Sequence, residues 1–309
     1  MEKINAKTEQ INLFGETPEE ELEHTLKDKF LIPPFSVFDA KQGYWQDRKR
    51  IWKSIGIKSE VGREDNLLSF SKLMHEKFGA GIGTSIFDPV VCEVCYKWFN
   101  IDGGVIFDCF AGGSVRGIVA EKLGYKYIGI DLREEQIEAN KENAKEIGVN
   151  PTWYCDDSIN ADKYIEDETA DLIFSCPPYY DLEVYSDKPN DLSNMKFEDF
   201  VIAYSKIIEK AVSKLKKDRF AVFVVGDIRD KDGFYRNFID ITKKAFNDAG
   251  CKTYNEIILL DASVGNASMR ASGIFKSRKM TKVHQNILVF YKGNPKAIKD
   301  NFKDLDLDY

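Results

Sequence analysis

The run RFAVFVVGDI (Arg219 to Ile228) is the most continuously apolar stretch of this 309-residue chain. A strand with no polar alternation is expected where both faces of a sheet are covered, which means a mostly parallel sheet with helices on each side. The surrounding pattern agrees. From Gly104 onward, short apolar strands alternate with longer helical stretches. The strands are VIFDCF (Val105 to Phe110), KYIGIDL (Lys126 to Leu132), WYCDD (Trp153 to Asp157), ADLIFSCPP (Ala170 to Pro178), the run itself, NEIILLD (Asn255 to Asp261) and VHQNILVFYKG (Val283 to Gly293). Helices are predicted over GSVRGIVAEKLG, over REEQIEANKENAKEIG with its acidic first turn and glycine stop at Gly148, over 197–216 and over 235–249. This alternation predicts an α/β fold with a mostly parallel, doubly wound sheet.

The first eighty-odd residues read differently. They hold Pro33-Pro34, the aromatic and basic stretch GYWQDRKRIWK (Gly43 to Lys53), and glycines at 79, 81 and 83, without βα alternation. The expected division is an N-terminal extension over 1–83, the α/β domain over 84–295, and an acidic, frayed tail over 296–309. Lys and Arg number 44 against 51 Asp and Glu, a net charge of −7, which argues against a protein that coats nucleic acid but not against a localised basic face. No run approaches the roughly 18 apolar residues of a membrane span. The segment MEKINAKTEQINLFGE lacks the pattern of a secretory signal, so a cytoplasmic location without membrane partners is expected. Six scattered cysteines predict no disulfide scaffold, and the lone Cys92/Cys95 pair reads as buried core rather than a metal site.

Two strand ends carry the chemical signals. The first is FDCFAGGSVRG, where Asp108 is followed by Gly112 and Gly113, a turn that lets backbone approach a ligand at a helix N-terminus. Asp131 closes the next strand and suits a carboxylate that binds ribose hydroxyls. The glycine pattern is neither the dinucleotide fingerprint nor a phosphate-binding loop. The second is Ser175-Cys176-Pro177-Pro178-Tyr179-Tyr180. Two prolines cannot extend a ladder, so they force a rigid exit with free carbonyls, and the aromatic after them is placed to stack on a planar base.

The ordered set FDCFAGG, GIDL, CDDS and SCPPYY resembles the S-adenosylmethionine-dependent DNA methyltransferases that modify adenine N6 or cytosine N4. KVHQNILVFYKG is similar to that family's closing strand, and GTSIFDPVVCEVCYKWF (Gly83 to Phe99) to its helix with an Asp-Pro motif. PPFSVFDAKQGYWQDRKRIWKSIGIKSE resembles the N-terminal part of phage and prophage methylases. The resemblance implies a Rossmann-like class I methyltransferase with a seven-stranded sheet in the cofactor-first permutation. It implies that Asp88, Pro89, Asp108, Phe110, Gly112 and Gly113 surround the methionine part of S-adenosylmethionine. Asp131 would bind the ribose, and Asp156 or Asp157 the adenine amino group. Ser175, Cys176, Pro177, Pro178 and Tyr179 would form the catalytic loop, with Asp181 beside it.

The chain departs from the family at two points. FAGGS stands where FAGSG is usual, and Cys176, a weak acceptor, stands where Asp, Asn or Ser precedes the two prolines. In a strand Ser175 points the other way. The amino-group contact then falls to the Pro177 carbonyl or to Asp181, and adenine versus cytosine stays open. The partner expected is double-stranded DNA, with the target base flipped onto Tyr179. Phosphate contacts are expected from Arg48, Lys49 and Arg50, and from Arg270, Lys276, Arg278, Lys279 and Lys282 in a polar loop before the last strand. Gly226-Asp227 is placed to shape the base pocket, and the segment 181–194 to close over it. The alternatives are an RNA base-amino methyltransferase and a catalytically inactive, cofactor-binding DNA-binding module. No metal is expected in the reaction.

Overall fold

The computed structural model describes residues 26–58, 87–180, 188, 190–260 and 264–302, and of 264–270 only the backbone apart from Ala267. The chain forms two compact units, one of residues 1–35 with 304–309 and one of 36–303. In the first, 26–30 is a helical turn. The second holds a single eight-stranded sheet.

In chain order its elements are β1 (Val37–Asp39), α1 (Gly43–Ser54), α2 (Pro89–Phe99), β2 (Val105–Asp108), α3 (Val115–Lys122), β3 (Lys126–Asp131), α4 (Glu134–Ile147) and β4 (Thr152–Cys155). They continue with β5 (Ala170–Ser175), α5 (Phe197–Lys214), β6 (Leu215–Val225), α6 (Phe238–Asp248), β7 (Lys252–Leu260), α7 (Val264–Phe275), β8 (His284–Lys292) and α8 (Ile298–Asn301). Short 3-10 turns cover Ser158–Lys163, Leu192–Asn194 and Pro295–Ala297.

The strand order is β1-β7-β8-β6-β5-β2-β3-β4. Every pairing is parallel except those of β8, which runs antiparallel to both β6 and β7. Without β1, seven strands remain, the number that the sequence resemblance implies. The sheet has eight strands rather than the expected seven because Val37–Asp39 adds to the outer edge of β7, pairing Val37 with Ile258. Three residues are too few to show a period of two, and only Phe38 among them is buried.

The core follows from the apolar runs. Phe220 to Val225 of β6 are all buried. Phe223 and Val225 share one cluster with Phe107, Ile173, Leu288 and Phe290 of neighbouring strands and with Phe200, Tyr204 and Ile208 of α5. The order in which successive strands are added reverses between β2 and β5, and ligands in open α/β sheets bind outside the strand ends at such a switch. The expected polar loop before the last strand is instead largely the helix α7. No helix among the described residues is long and apolar enough to cross a membrane.

Candidate active site

A cavity of about 280 Å³ opens at that switch point, outside the C-terminal ends of β2, β3 and β5. Phe110, Gly112, Gly113, Asp131, Asp156 and Asp157 line it on one side, and Cys176, Pro177, Pro178 and Tyr179 on the other. The two signals read from the sequence therefore share one space.

A carboxylate has about four lone-pair sites, and counting the donors on each separates the acidic residues here. Asp108 is fully buried and takes four donors: Ser175 Oγ (2.5 Å) and the Phe110 N–H (3.1 Å) on Oδ1, Arg116 Nε (2.6 Å) and the Tyr127 hydroxyl (2.8 Å) on Oδ2. It does not line the cavity, in contrast to its expected cofactor contact. The reason is Arg116, on the first turn of α3, whose buried guanidinium also donates to the carbonyls of Phe110 and Ala111 and lies 4.8 Å over the Phe87 ring. Asp108 and Arg116 thus hold the glycine loop from beneath. Sequence reading passes over Arg116 because a helical arginine ordinarily faces solvent.

Asp131 is different. Its Oδ2 accepts the Gly112 N–H (2.8 Å) and its Oδ1 the Arg133 N–H (3.0 Å), so each oxygen keeps a free acceptor site. Burial raises its pKa, and the hydrogen bond from the Arg133 backbone opposes that rise. Gly112 has a φ of +50°, a left-handed conformation that favours glycine and presents its N–H to Asp131. From below, Asn140 Nδ2 donates to the Gly112 carbonyl (2.6 Å), and Gln136 and Arg133 extend that chain along α4.

The pair after β4 splits the same way. Asp156 takes four donors: the Asp157 N–H, Asn160 Nδ2, Lys163 Nζ and the Tyr164 hydroxyl, at 2.7 to 2.9 Å. Burial pushes its pKa up, but the side-chain bonds from Asn160, Lys163 and Tyr164 outweigh it and hold the carboxyl below the usual range. Asp157 takes two, the Ile159 N–H and Asn190 Nδ2, each at 3.1 Å. Asn190, Asp191 and Leu192 also line the cavity, and Lys188 Nζ donates to the Leu132 carbonyl (2.6 Å). The described part of the 181–194 segment therefore lies against the cofactor end; 181–187, Asp181 among them, and 189 fall outside the described residues.

Asp88 and Pro89 start α2. Pro89 occupies the first turn, and Asp88 caps it through the Val90 N–H (3.0 Å) while accepting from Trp45 Nε1 (3.2 Å) and Lys49 Nζ (2.7 Å). Asp88 lines the cavity; Pro89 is buried behind it.

At the base end, Ser175 is the buried last residue of β5 and turns toward Asp108, away from the cavity. Cys176 follows on the cavity side, its Sγ 3.8 Å from the Tyr179 hydroxyl. Tyr179 is held from two directions: Gln285 Nε2 donates to its hydroxyl (3.0 Å), and the hydroxyl lies 3.5 Å from the Val224 carbonyl. Tyr180 has a φ of +51° and drives its ring against Phe197 and Phe200, with the Arg236 guanidinium 4.8 Å over it. That reversal sends one tyrosine into the core and leaves the other at the cavity. Gly226 abuts the Tyr179 ring, where a Cβ would lie 3.9 Å away.

The two basic clusters differ in accessibility. Arg48 makes two bonds to the buried Glu93 (2.7 and 2.8 Å), Trp52 Nε1 donates to the same carboxylate (2.7 Å), and Lys49 is paired with Asp88. These two cations tie α1 to α2, so a phosphate reaching either competes with a carboxylate already in place. Arg50 is exposed and paired with Asp47. In the second cluster Lys276 and Arg278 are exposed and Lys279 is half-buried beside Gly233. Lys282 Nζ lies 3.5 Å from the Asp227 carbonyl, and burial lowers its pKa. The Arg270 side chain lies outside the described residues. Cys92 and Cys95 are buried in α2, and burial raises both thiols.

Residues 3–142 match the family model N6_N4_Mtase, described as DNA methylase. The match covers the Asp-Pro helix, the glycine loop and Asp131, and ends before Cys176. No curated protein matches the sequence. Among solved structures, TrmN from Thermus thermophilus aligns at 14% identity, covering 66% of this chain and 48% of that one, with a TM-score of 0.46. A candidate RNA methyltransferase of Pyrococcus horikoshii aligns at 13%, covering 81% and 100%, with a TM-score of 0.49. A candidate DNA modification methylase of Thermus thermophilus aligns at 14%, covering 45% and 51%, with a TM-score of 0.34. The aligned part thus spans about half the length of TrmN, and similarities at this level add nothing to the strand order. The chain is thus similar to the DNA methylase family model over residues 3–142, which carry the Asp-Pro helix and the glycine loop of the cavity described above.

Proposed function

We propose that the protein methylates the exocyclic amino nitrogen of a base, adenine N6 or cytosine N4, flipped out of duplex DNA in the cytoplasm of a bacterial or phage-infected cell. The observation that carries this reading is the single cavity lined both by carboxylates with free acceptor sites and by the Cys176–Tyr179 loop. The donor set fits S-adenosylmethionine. Asp131 keeps one acceptor site on each oxygen, which suits two neighbouring ribose hydroxyls, and Asp157 rather than the saturated Asp156 has capacity for an adenine amino group. Phe110, Ile130, Leu132 and Leu192 supply apolar wall between them.

When bound, S-adenosylmethionine supplies an electrophilic methyl group on a sulfonium. Tyr179, its hydroxyl tethered, presents its ring to the flipped base. The Pro177 carbonyl, which has no hydrogen-bond donor among the described residues, accepts from the target amino group and turns its nitrogen lone pair toward the methyl. With the cofactor bound, the nitrogen would take the methyl group as the carbon–sulfur bond broke, and the surplus amino proton would leave to water. Positioning and electrostatics dominate such a step.

The test is nucleoside mass spectrometry of unmodified duplex DNA after incubation with the protein and S-adenosylmethionine, with RNA treated in parallel. A DNA adenine or cytosine heavier by one methyl group is expected. Signal on RNA alone would replace the substrate, and cofactor binding without signal on either would favour a non-catalytic module.

A further inference from the structure

A primary amino group entering this site brings two N–H bonds, and the Pro177 carbonyl takes one. Cys176, in the position where the sequence resemblance places an acceptor side chain, offers only a thiol, a weak acceptor beside the Tyr179 hydroxyl. The other side chain that meets this end of the cavity is Gln285, the second residue of β8. We infer, resting on the function proposed above, that the Gln285 carbonyl oxygen is the second acceptor for the target amino group and so a catalytic residue that selects amino-bearing bases.

The orientation of its amide follows from a short relay. The Val224 carbonyl can only accept, and the Tyr179 hydroxyl lies within reach of it. A hydroxyl that donates there is free to accept from Gln285 Nε2 at 3.0 Å, nearer than the Cys176 Sγ at 3.8 Å. The amide nitrogen is thereby directed at Tyr179, and Oε1 has no hydrogen-bond partner among the described residues while the side chain borders the cavity. Among the described residues, neighbouring polar groups do not compete for this role. Lys282 has only donors to offer. Asn286, one residue along the strand, belongs to the opposite face and donates to Glu256 (2.8 Å).

The same contact sets specificity. Adenine N6 and cytosine N4 donate hydrogen bonds, whereas guanine O6 and thymine O4 accept them and would set oxygen against the Gln285 oxygen. In the reaction, Gln285 and Pro177 hold the two amino hydrogens while the nitrogen lone pair forms the new bond and the carbon–sulfur pair stays on sulfur. One of the two protons then departs to water.

The test compares Gln285→Leu and Gln285→Glu in the full chain, following tritium from labelled S-adenosylmethionine into unmodified genomic DNA, with cofactor affinity measured separately by calorimetry. Gln285→Leu is expected to lower kcat by about 10- to 100-fold with cofactor affinity unchanged. Gln285→Glu, which keeps an acceptor of the same reach, should recover much of that loss at neutral pH and lose it again on acidification as the new carboxyl protonates. An unchanged kcat in Gln285→Leu would overturn the inference. So would a Gln285→Glu variant that recovers nothing at neutral pH, since Gln285 would then be a brace for the Tyr179 ring rather than an acceptor. A parent protein that labels no nucleic acid would overturn the proposed function itself, a result distinct from either.

Discussion

The loops after β2 and after β5 leave the same sheet edge but are built on opposite terms. Beneath the glycine loop the polar groups are saturated: Asp108 has four donors, and Arg116 reaches two backbone carbonyls besides. The Cys176–Tyr179 loop is held from its ends, by the tethered Tyr179 hydroxyl and the half-buried Tyr180 ring, and the Pro177 carbonyl in its middle has no donor among the described residues. A closed network fixes backbone geometry for a ligand that always fits the same way. An open one waits for a base to complete it. The contrast separates residues whose loss should reduce stability from residues whose loss should reduce binding or rate.

The largest effect expected is on stability. Asp108→Asn leaves the Arg116 guanidinium buried opposite a neutral group, and breaking a buried pair costs about 3–5 kcal/mol. Urea unfolding should register that loss, while cofactor affinity per folded molecule changes little. If the variant instead keeps its stability and loses cofactor binding, Asp108 belongs to the open class and the division fails.

Asp131→Ala comes next, on binding alone. Hydrogen bonds to a charged group contribute about 1.5–3 kcal/mol, so cofactor affinity should fall by about 10- to 150-fold. The pH dependence sharpens the point. Asp131 must be ionised to accept from hydroxyls, and burial raises its pKa, so affinity is full above that raised value and declines as pH falls through it, earlier than for an ordinary aspartate. For folding without ligand the sign is reversed: the raised pKa contributes stability below the unfolded value, and this is lost as pH rises through the folded one. Asp156, held below the usual range by its hydrogen bonds, should contribute stability above the unfolded value that persists further into acid. Calorimetric titrations of the cofactor from about pH 4 to pH 7 on the parent and the alanine variant isolate the Asp131 contribution to binding.

Much of this was legible in the sequence. Apolar runs and glycine stops located seven strands, because a strand covered on both faces leaves a compositional trace. The acidic strand ends and the two prolines marked the right edge for the same reason. The donor count on each aspartate was not legible: Asp108 and Asp131 both end strands beside a glycine loop, and what distinguishes them is Arg116, Tyr127 and Ser175 arriving from α3, β3 and β5. Nor was α1, whose one fully buried side chain is Trp45 and whose charges pair across to α2. Gln285 was hidden by its position in an apolar strand, where a single polar residue signals nothing until its neighbours across the sheet are known.

Tyr179→Ala tests the open loop directly. Stacking of a base on an aromatic ring contributes about 1–3 kcal/mol, so turnover should fall about 10- to 100-fold, with cofactor affinity left near the parent value. A loss of cofactor affinity of the same size would mean that the ring faces the other ligand, and the two ends of the cavity would have to be reassigned.

The smallest effects concern the basic clusters, which repeat the closed and open division at the surface. Arg48 is committed to Glu93, whereas Arg278 is exposed with its guanidinium 5.2 Å from the Phe275 ring, and Lys279 is the next residue along the chain. Each phosphate contact contributes about 0.9 to the slope of log affinity against log salt. Replacing Arg278 and Lys279 together by alanine should therefore lower DNA affinity modestly at low salt and flatten that slope by about 2. Arg48→Gln should leave the slope unaltered, because its charge is already neutralised by a buried carboxylate, and should show itself only as a lower unfolding midpoint. An Arg48 variant that flattens the slope would mean that the Arg48–Glu93 pair opens to meet phosphate, and that the surface of α1 is part of the DNA face after all.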